Sequence, residues 1–109
     1  ESRLQHQDDQ TRDALLQQTI LTDADWLRFR EMFEKVHPGF FRKLQLIAPD
    51  ITAAETRMAS VIRLGLGNKH IASMLGVSGD TVRKAKFRLR QRLQLAEENS
   101  LEDFIQSLS

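Results

Sequence analysis

Apolar residues recur along this chain at the three- and four-residue spacing of amphipathic helices, and no stretch alternates as a strand does. One such face, over residues 24–36, carries the apolar side chains Trp26, Phe29, Phe33 and Val36. A turn sequence at residues 37–39 ends this helix, and a second aromatic helix ends near Pro49. The pattern predicts an all-α fold in which the aromatic stripe is core.

Residues 1–21 are rich in Gln and Asp and show only loose helical spacing. Two interpretations stay open for this segment. It is either the end of a coiled coil or linker helix that enters from upstream, or a frayed terminus.

Two sequence patterns mark helix starts. Thr22 with Asp25, and Thr52 with Glu55, place a hydroxyl and a carboxylate where they accept from free backbone N–H groups. The spacing then predicts a helix through about Leu64 and a last helix that begins after Asn99 or Ser100. We therefore predict a helical extension over residues 1–50, with a possible coiled-coil end and an aromatic helix hairpin, and a separate helical domain over residues 51–109.

Residues 68–87 have the residue types that two helices need when they cross at a tight turn. Ala72 is small where the second helix comes closest, and Gly76 suits a left-handed reversal of the chain. Ser78 offers its hydroxyl as the N-cap of the second helix. The residues expected to face inward and join the pair are Ile71, Leu75, Val82 and Ala85. This pattern predicts a helix-turn-helix.

Charge is concentrated in the second helix of this pair. The net charge of the chain is only +1, yet residues 83–92 contain six Lys or Arg residues and no acid. Such a block is typical of an element that contacts phosphates, although a solvated helix face has the same composition.

Helical projection separates two faces of the basic helix. Val82, Ala85, Leu89 and Leu93 form the predicted buried face. The outward face is predicted to contact bases in a major groove through Arg83, Lys84 and Phe87. Phosphate contacts are predicted for Lys86, Arg88, Arg90 and Arg92. For Phe87, packing against the aromatic helices or against another protein stays an alternative.

Residues 51–95 resemble the LuxR/GerE-type DNA-binding domain of bacterial regulators. The resemblance lies in Thr-x-x-Glu at residues 52–55, Gly-x-x-Asn-Lys-x-Ile-Ala at 65–72 and Leu-x-Val-Ser-x-x-Thr-Val at 75–82. It implies a domain of four short helices, at about 53–64, 68–75, 79–94 and 100–108. It also implies phosphate contacts from Thr52, Asn68, Lys69, Ser78 and Thr81. It also implies a dimer interface on the last helix, formed by Leu101, Phe104, Ile105 and Leu108.

Two positions depart from the family pattern. Ala85 stands where a His or similar polar residue is common, and Phe87 stands where a polar or basic residue is common. The segment before the domain resembles the C-terminal part of large Bacteroidetes-type regulators. That resemblance implies an upstream sensor region and, in some members, a membrane tether.

Composition limits the other functional classes. The chain has no Cys, its three His residues lack metal-ligand spacing, and no apolar run reaches the length of a membrane helix. We find no catalytic motif and therefore expect neither an enzyme nor a cofactor. Because the sequence starts at Glu1, we expect it to be part of a longer cytoplasmic or inner-membrane-tethered protein.

The leading hypothesis is a sequence-specific transcription regulator that binds double-stranded DNA as a homodimer. One alternative is a promoter-reading domain similar to that of a sigma factor, which would act with RNA polymerase. A second alternative is a protein-interaction module that keeps the fold without binding DNA.

Overall fold

The computed structural model describes residue 10 and residues 13–108, and within these it contains seven helices and no strand. The first helical segment, α1, includes residues 13–17. The others are α2 (Asp23–Val36), α3 (Phe40–Ile47), α4 (Ala53–Arg63), α5 (Asn68–Leu75), α6 (Gly79–Arg92) and α7 (Leu101–Gln106). The predicted all-α class is confirmed, and the helix bounds differ from the predicted ones by three residues at most.

The helix starts are fixed locally, as predicted. The Asp25 amide donates to Thr22 Oγ1, while Asp25 Oδ2 accepts from the Thr22 amide, both at 3.1 Å. Thr52 and Glu55 form the same reciprocal pair at the start of α4, with distances of 3.0 and 3.1 Å. Two orphan amides are satisfied at each helix N-terminus in this way.

The aromatic residues of α2 and α3 form core, as predicted. Phe29, Phe33 and Phe40 are fully buried. Gly39, with a left-handed φ of 83°, reverses the chain between the two helices. The ring centroids of Phe33 and Phe40 then lie 5.2 Å apart in an edge-on arrangement.

The N-terminal segment belongs to the same core. Leu15 is fully buried, and the Ile20 amide donates to the carbonyl oxygen of Met74 at 2.9 Å, at the end of α5. One apolar cluster contains side chains from α2 through α7 together with Leu15 and Ile20. The core therefore runs across the predicted boundary after residue 50. Residues 13–21 do not have the loose packing of a frayed end, whereas residues 1–9, 11 and 12 lie outside the described residues.

Helix α7 packs inward. Leu101, Ile105 and Leu108 are buried, and Phe104 is half-buried against the core. The Gln106 side-chain amide donates to the carbonyls of Ile62 and Arg63 at 3.3 and 3.0 Å, which ties α7 to α4. The dimer interface that we predicted through Leu101, Phe104, Ile105 and Leu108 is thus not supported, because these side chains are occupied within the chain.

None of the helices in the described part of the chain combines the length and apolar character that crossing a bilayer requires.

Candidate nucleic-acid interface

The turn between α5 and α6 consists of residues 76–78. Gly76 ends α5 with a φ of 67°, a conformation that costs an L-residue about 1–2 kcal/mol. The Val77 amide then donates to the Ala72 carbonyl at 2.9 Å. Ser78 Oγ accepts from the Thr81 amide at 3.1 Å and so caps α6. The roles predicted for Gly76 and Ser78 are confirmed, and Ala72 is buried where α5 and α6 meet.

The α6 helix is anchored along one face, as predicted. Val82 and Leu89 are fully buried, Leu93 is buried, and Ala85 is half-buried against the core. Because four anchoring side chains span the length of the helix, its opposite face is held in a fixed orientation toward solvent.

The three predicted base-contact residues lie on this exposed face. The side chains of Arg83 and Lys84 are 64% and 68% exposed, and Phe87 is 61% exposed. Packing of Phe87 against the aromatic helices, one of the alternatives above, is therefore wrong. The exposed face joins two cations to one large apolar ring.

Asp80 also belongs to this group, although the sequence favoured it less than Arg83, Lys84 and Phe87 for base contact. Asp80 Oδ1 accepts from Arg83 Nη2 at 3.2 Å, and Asp80 Oδ2 pairs with Lys84 Nζ at 3.1 Å. The contacts of Asp80 with Arg83 and Lys84 could have been predicted from the sequence, because residues three and four positions apart are neighbours on a helix surface. This carboxylate offsets one of the two positive charges next to it.

Three of the four α6 cations predicted to contact phosphates are engaged within the chain. Lys86 pairs with Glu102 at 2.9 Å, and only 14% of its side chain is exposed. Arg92 Nε donates to Glu55 Oε1 at 2.8 Å. The Arg90 guanidinium donates to the Ala96 and Asn99 carbonyls at 2.8 and 2.6 Å. The phosphate contacts predicted for Lys86, Arg90 and Arg92 are therefore not supported, because the geometry assigns these cations to holding α6 in place.

The carboxylates of Glu55 and Glu102, which pair with Arg92 and Lys86, have lowered pKa values. The hydrogen bond from Lys86 lowers the pKa of Glu102, against a smaller opposing effect of burial. Partial burial of Glu55 acts to raise its pKa, but the hydrogen bonds from Arg92 and the Thr52 amide together outweigh it and the pKa is lowered. Both carboxylates are thus stabilised in the charged form that the contacts require.

The remaining predicted phosphate contacts surround α6. Arg88 is exposed and lines a groove with Thr52, Ala54 and Glu55 at the N-terminus of α4. Lys69 is exposed in the first turn of α5, next to the half-buried Asn68. Within the described residues, neither Arg88 nor Lys69 forms an ion pair. The two cations therefore remain available to an external anion.

The predicted hydroxyl contacts lie at helix starts. Thr52 and Ser78 are N-caps, and Thr81 Oγ1 lies 3.0 Å from Ser78 Oγ. All three residues are exposed. A hydroxyl has one donor and two acceptor positions, so a capping hydroxyl keeps capacity for one more partner.

The described part of the chain was also compared with the requirements of a metal site and with known proteins. No group of three or more His, Asp or Glu side chains there is placed to hold a metal ion. Comparison with protein-family models, curated proteins and solved structures gave no match for this chain.

Proposed function

We propose that this chain is a sequence-specific, double-stranded-DNA-binding transcription regulator in which α5 and α6 form a helix-turn-helix. The observation that carries the proposal is the exposed face of α6. Arg83, Lys84 and Phe87 lie together there on a helix whose other face is buried. An α-helix fits the major groove of B-DNA, and residues near the start of a recognition helix come closest to the bases.

Each residue of the interface has a chemically suitable target. An arginine donates bidentately to guanine O6 and N7, and an apolar side chain contacts the thymine methyl group. Lys69 and Arg88, exposed on α5 and α6, would contact phosphates and so fix the orientation of α6 in the groove. The resemblance of residues 51–95 to LuxR/GerE-type domains supports the same docking.

A single α6 helix spans only a few base pairs, so we propose that two copies bind half-sites about one helical turn apart. The buried residues of α7 do not provide their contact. The two copies would instead meet through exposed surface or through further regions of the polypeptide.

The test is selection of bound sequences from a random duplex pool by the wild type, Arg83→Ala and Phe87→Ala. We expect Arg83→Ala to change the selected sequence and Phe87→Ala to relax one position that is rich in thymine. Leu27→Ala, which removes an equally exposed apolar side chain on α2, serves as the control and leaves the selection unchanged. If Arg83→Ala weakens binding evenly across all sequences, Arg83 contacts phosphate and its assignment to bases is wrong.

One observation favours a second candidate, a protein-interaction module. Phe87 is a large aromatic side chain with 61% exposure, and such residues are enriched in protein interfaces. A gel shift with random duplex DNA at low salt separates the two, since an interaction module would leave the DNA free. A sigma-factor-like domain would also leave the DNA free in this assay, but it would shift the DNA once RNA polymerase is added.

A further inference from the structure

Asp80 and Arg83 form a donor–acceptor pair at the exposed start of α6. Arg83 Nη2 donates to Asp80 Oδ1 at 3.2 Å, and Lys84 holds the second carboxylate oxygen at 3.1 Å. Arg83 Nη1 lies 3.9 Å from the position that a Cβ on Gly79 would occupy, so the guanidinium lies over the first turn of the helix. Both side chains are about two-thirds exposed. The pair therefore presents one acceptor and several donors at the end of α6 nearest the bases.

The major-groove edge of a G·C base pair has the complementary arrangement. Guanine presents the acceptors N7 and O6, and cytosine presents the N4–H donor. The guanine O6 and cytosine N4 atoms are joined by a Watson–Crick hydrogen bond of about 2.9 Å. The 3.2 Å separation of Arg83 Nη2 and Asp80 Oδ1 nearly matches this spacing.

Neither partner is saturated by the contact between them. Nη2 carries a second hydrogen, the other guanidinium nitrogens carry three more, and a carboxylate oxygen has a second lone pair. Arg83 can therefore donate to O6 and N7 while Asp80 accepts from N4–H.

We propose that Asp80 determines specificity and that Asp80 and Arg83 together recognise one G·C base pair. This inference rests on the proposed DNA-binding function and names the base pair that is read. An A·T pair presents the N6–H donor of adenine in place of O6 and the O4 acceptor of thymine in place of N4–H. Adenine keeps the N7 acceptor, but Arg83 then faces a donor in place of O6 and Asp80 faces an acceptor in place of N4–H, so the contacts to these two positions become repulsive. A C·G pair reverses the order of donor and acceptors and is rejected in the same way.

Lys84 acts as a positioning residue in this arrangement. Its ammonium holds Asp80 Oδ2, which leaves Oδ1 directed toward Arg83. We therefore expect Lys84, which the sequence predicted to contact a base, to orient the carboxylate instead and to contact a phosphate with its remaining N–H donors.

The experiment measures binding of the wild-type chain, Asp80→Ala and Arg83→Ala to the duplex that the wild type selects. Two modified duplexes carry N4-methylcytosine, which lacks the groove-facing donor, or 7-deazaguanine, which lacks the N7 acceptor. We expect N4-methylcytosine to weaken wild-type binding by on the order of 10-fold and to leave Asp80→Ala unaffected. We expect 7-deazaguanine to weaken the wild type similarly and to leave Arg83→Ala unaffected.

Asp103→Ala is the matched control. Asp103 is an exposed aspartate in the first turn of α7, so its removal changes the chain charge and the helix N-terminus in the same way as Asp80→Ala. We expect Asp103→Ala to respond to both modified duplexes as the wild type does. The same response would also show that a lost negative charge alone does not relax specificity.

The outcomes separate this inference from the function on which it rests. If the wild type binds no duplex at low salt, the proposed function and the inference both fail. If the wild type binds its selected duplex but N4-methylcytosine weakens Asp80→Ala as much as the wild type, the inference alone is wrong. It is also wrong if Asp80→Ala and Arg83→Ala relax two different base pairs.

Discussion

The structure makes a quantitative prediction about the salt dependence of DNA binding, because it sorts the cations of α6 into engaged and available ones. Lys86, Arg90 and Arg92 already hold partners within the chain. With Arg83 assigned to bases, the cations left for phosphates are Lys69 and Arg88, together with Lys84, whose ion pair with Asp80 is exposed and leaves N–H donors free. Each phosphate contact contributes about −0.9 to the slope of log K against log salt concentration.

Three contacts give a slope of about −2.7 for one chain, which is a loss of about 40-fold in affinity between roughly 50 and 200 mM salt. If all six cations of residues 83–92 contacted phosphates, the slope would be about −5.4 and the loss about 2,000-fold. The two cases differ by far more than the error of a binding titration. The measurement is fluorescence anisotropy on a short duplex that contains one half-site.

Two variants identify which arginines are responsible. Arg88→Gln should reduce the slope to about −1.8, because it removes one phosphate contact. Arg90→Gln should leave the slope unchanged and lower the melting temperature, because its guanidinium donates to the carbonyls of Ala96 and Asn99. Equal effects of Arg88→Gln and Arg90→Gln on the slope, with circular dichroism showing both variants folded, would refute this division of the cations.

Two further predictions concern stability. Leu15→Ala should lower the free energy of unfolding in urea by about 2 to 5 kcal/mol, because Leu15 is fully buried. Leu27→Ala, at an exposed position, is the control and should change the free energy of unfolding by less than about 0.5 kcal/mol. A small effect of Leu15→Ala would mean that residues 13–21 are not part of the core. Because the pKa of Glu55 is lowered on folding, its contribution is present above the pKa of the unfolded chain and is lost as the pH falls through the folded value. Urea unfolding should therefore show that Glu55→Gln is less stable than the wild type at neutral pH and that the two stabilities converge in acid. A difference in the free energy of unfolding that stays constant with pH would contradict this linkage.

Local features of the fold were predictable from the sequence because their causes are local. A capping box needs only Thr52 and Glu55 three residues apart, and the reversal after α5 needs only Gly76. The buried face of α6 follows from helical spacing in the same way. Propensity, capping and periodicity act over a few residues, so a short stretch of the sequence contains all the information that predicts these features.

Which basic side chains form ion pairs within the chain was not predictable in this way. Arg92 pairs with Glu55, which lies 37 residues away in the chain, and Lys86 pairs with Glu102, which lies 16 residues away. Counting charges along the sequence does not distinguish these cations from Arg88, because only the tertiary fold determines which of them have a partner. The apolar face of α7 posed the same problem, since periodicity shows that Ile105 is covered but not whether α4 or a second chain covers it.

The division of charges also explains how a chain of nearly neutral net charge can present a site for a polyanion. Glu55 and Glu102 take up cations on the flanks of α6, and in doing so they fasten α6 to the elements beside it. Those pairs add little to the long-range field, because each is neutral as a unit. Lys69 and Arg88, which form no ion pair with any residue that the structure describes, then set the local field around the exposed face. Since α6 is already fixed by its buried face and by these ion pairs, binding would order few additional groups, and more of the contact energy would remain for recognition.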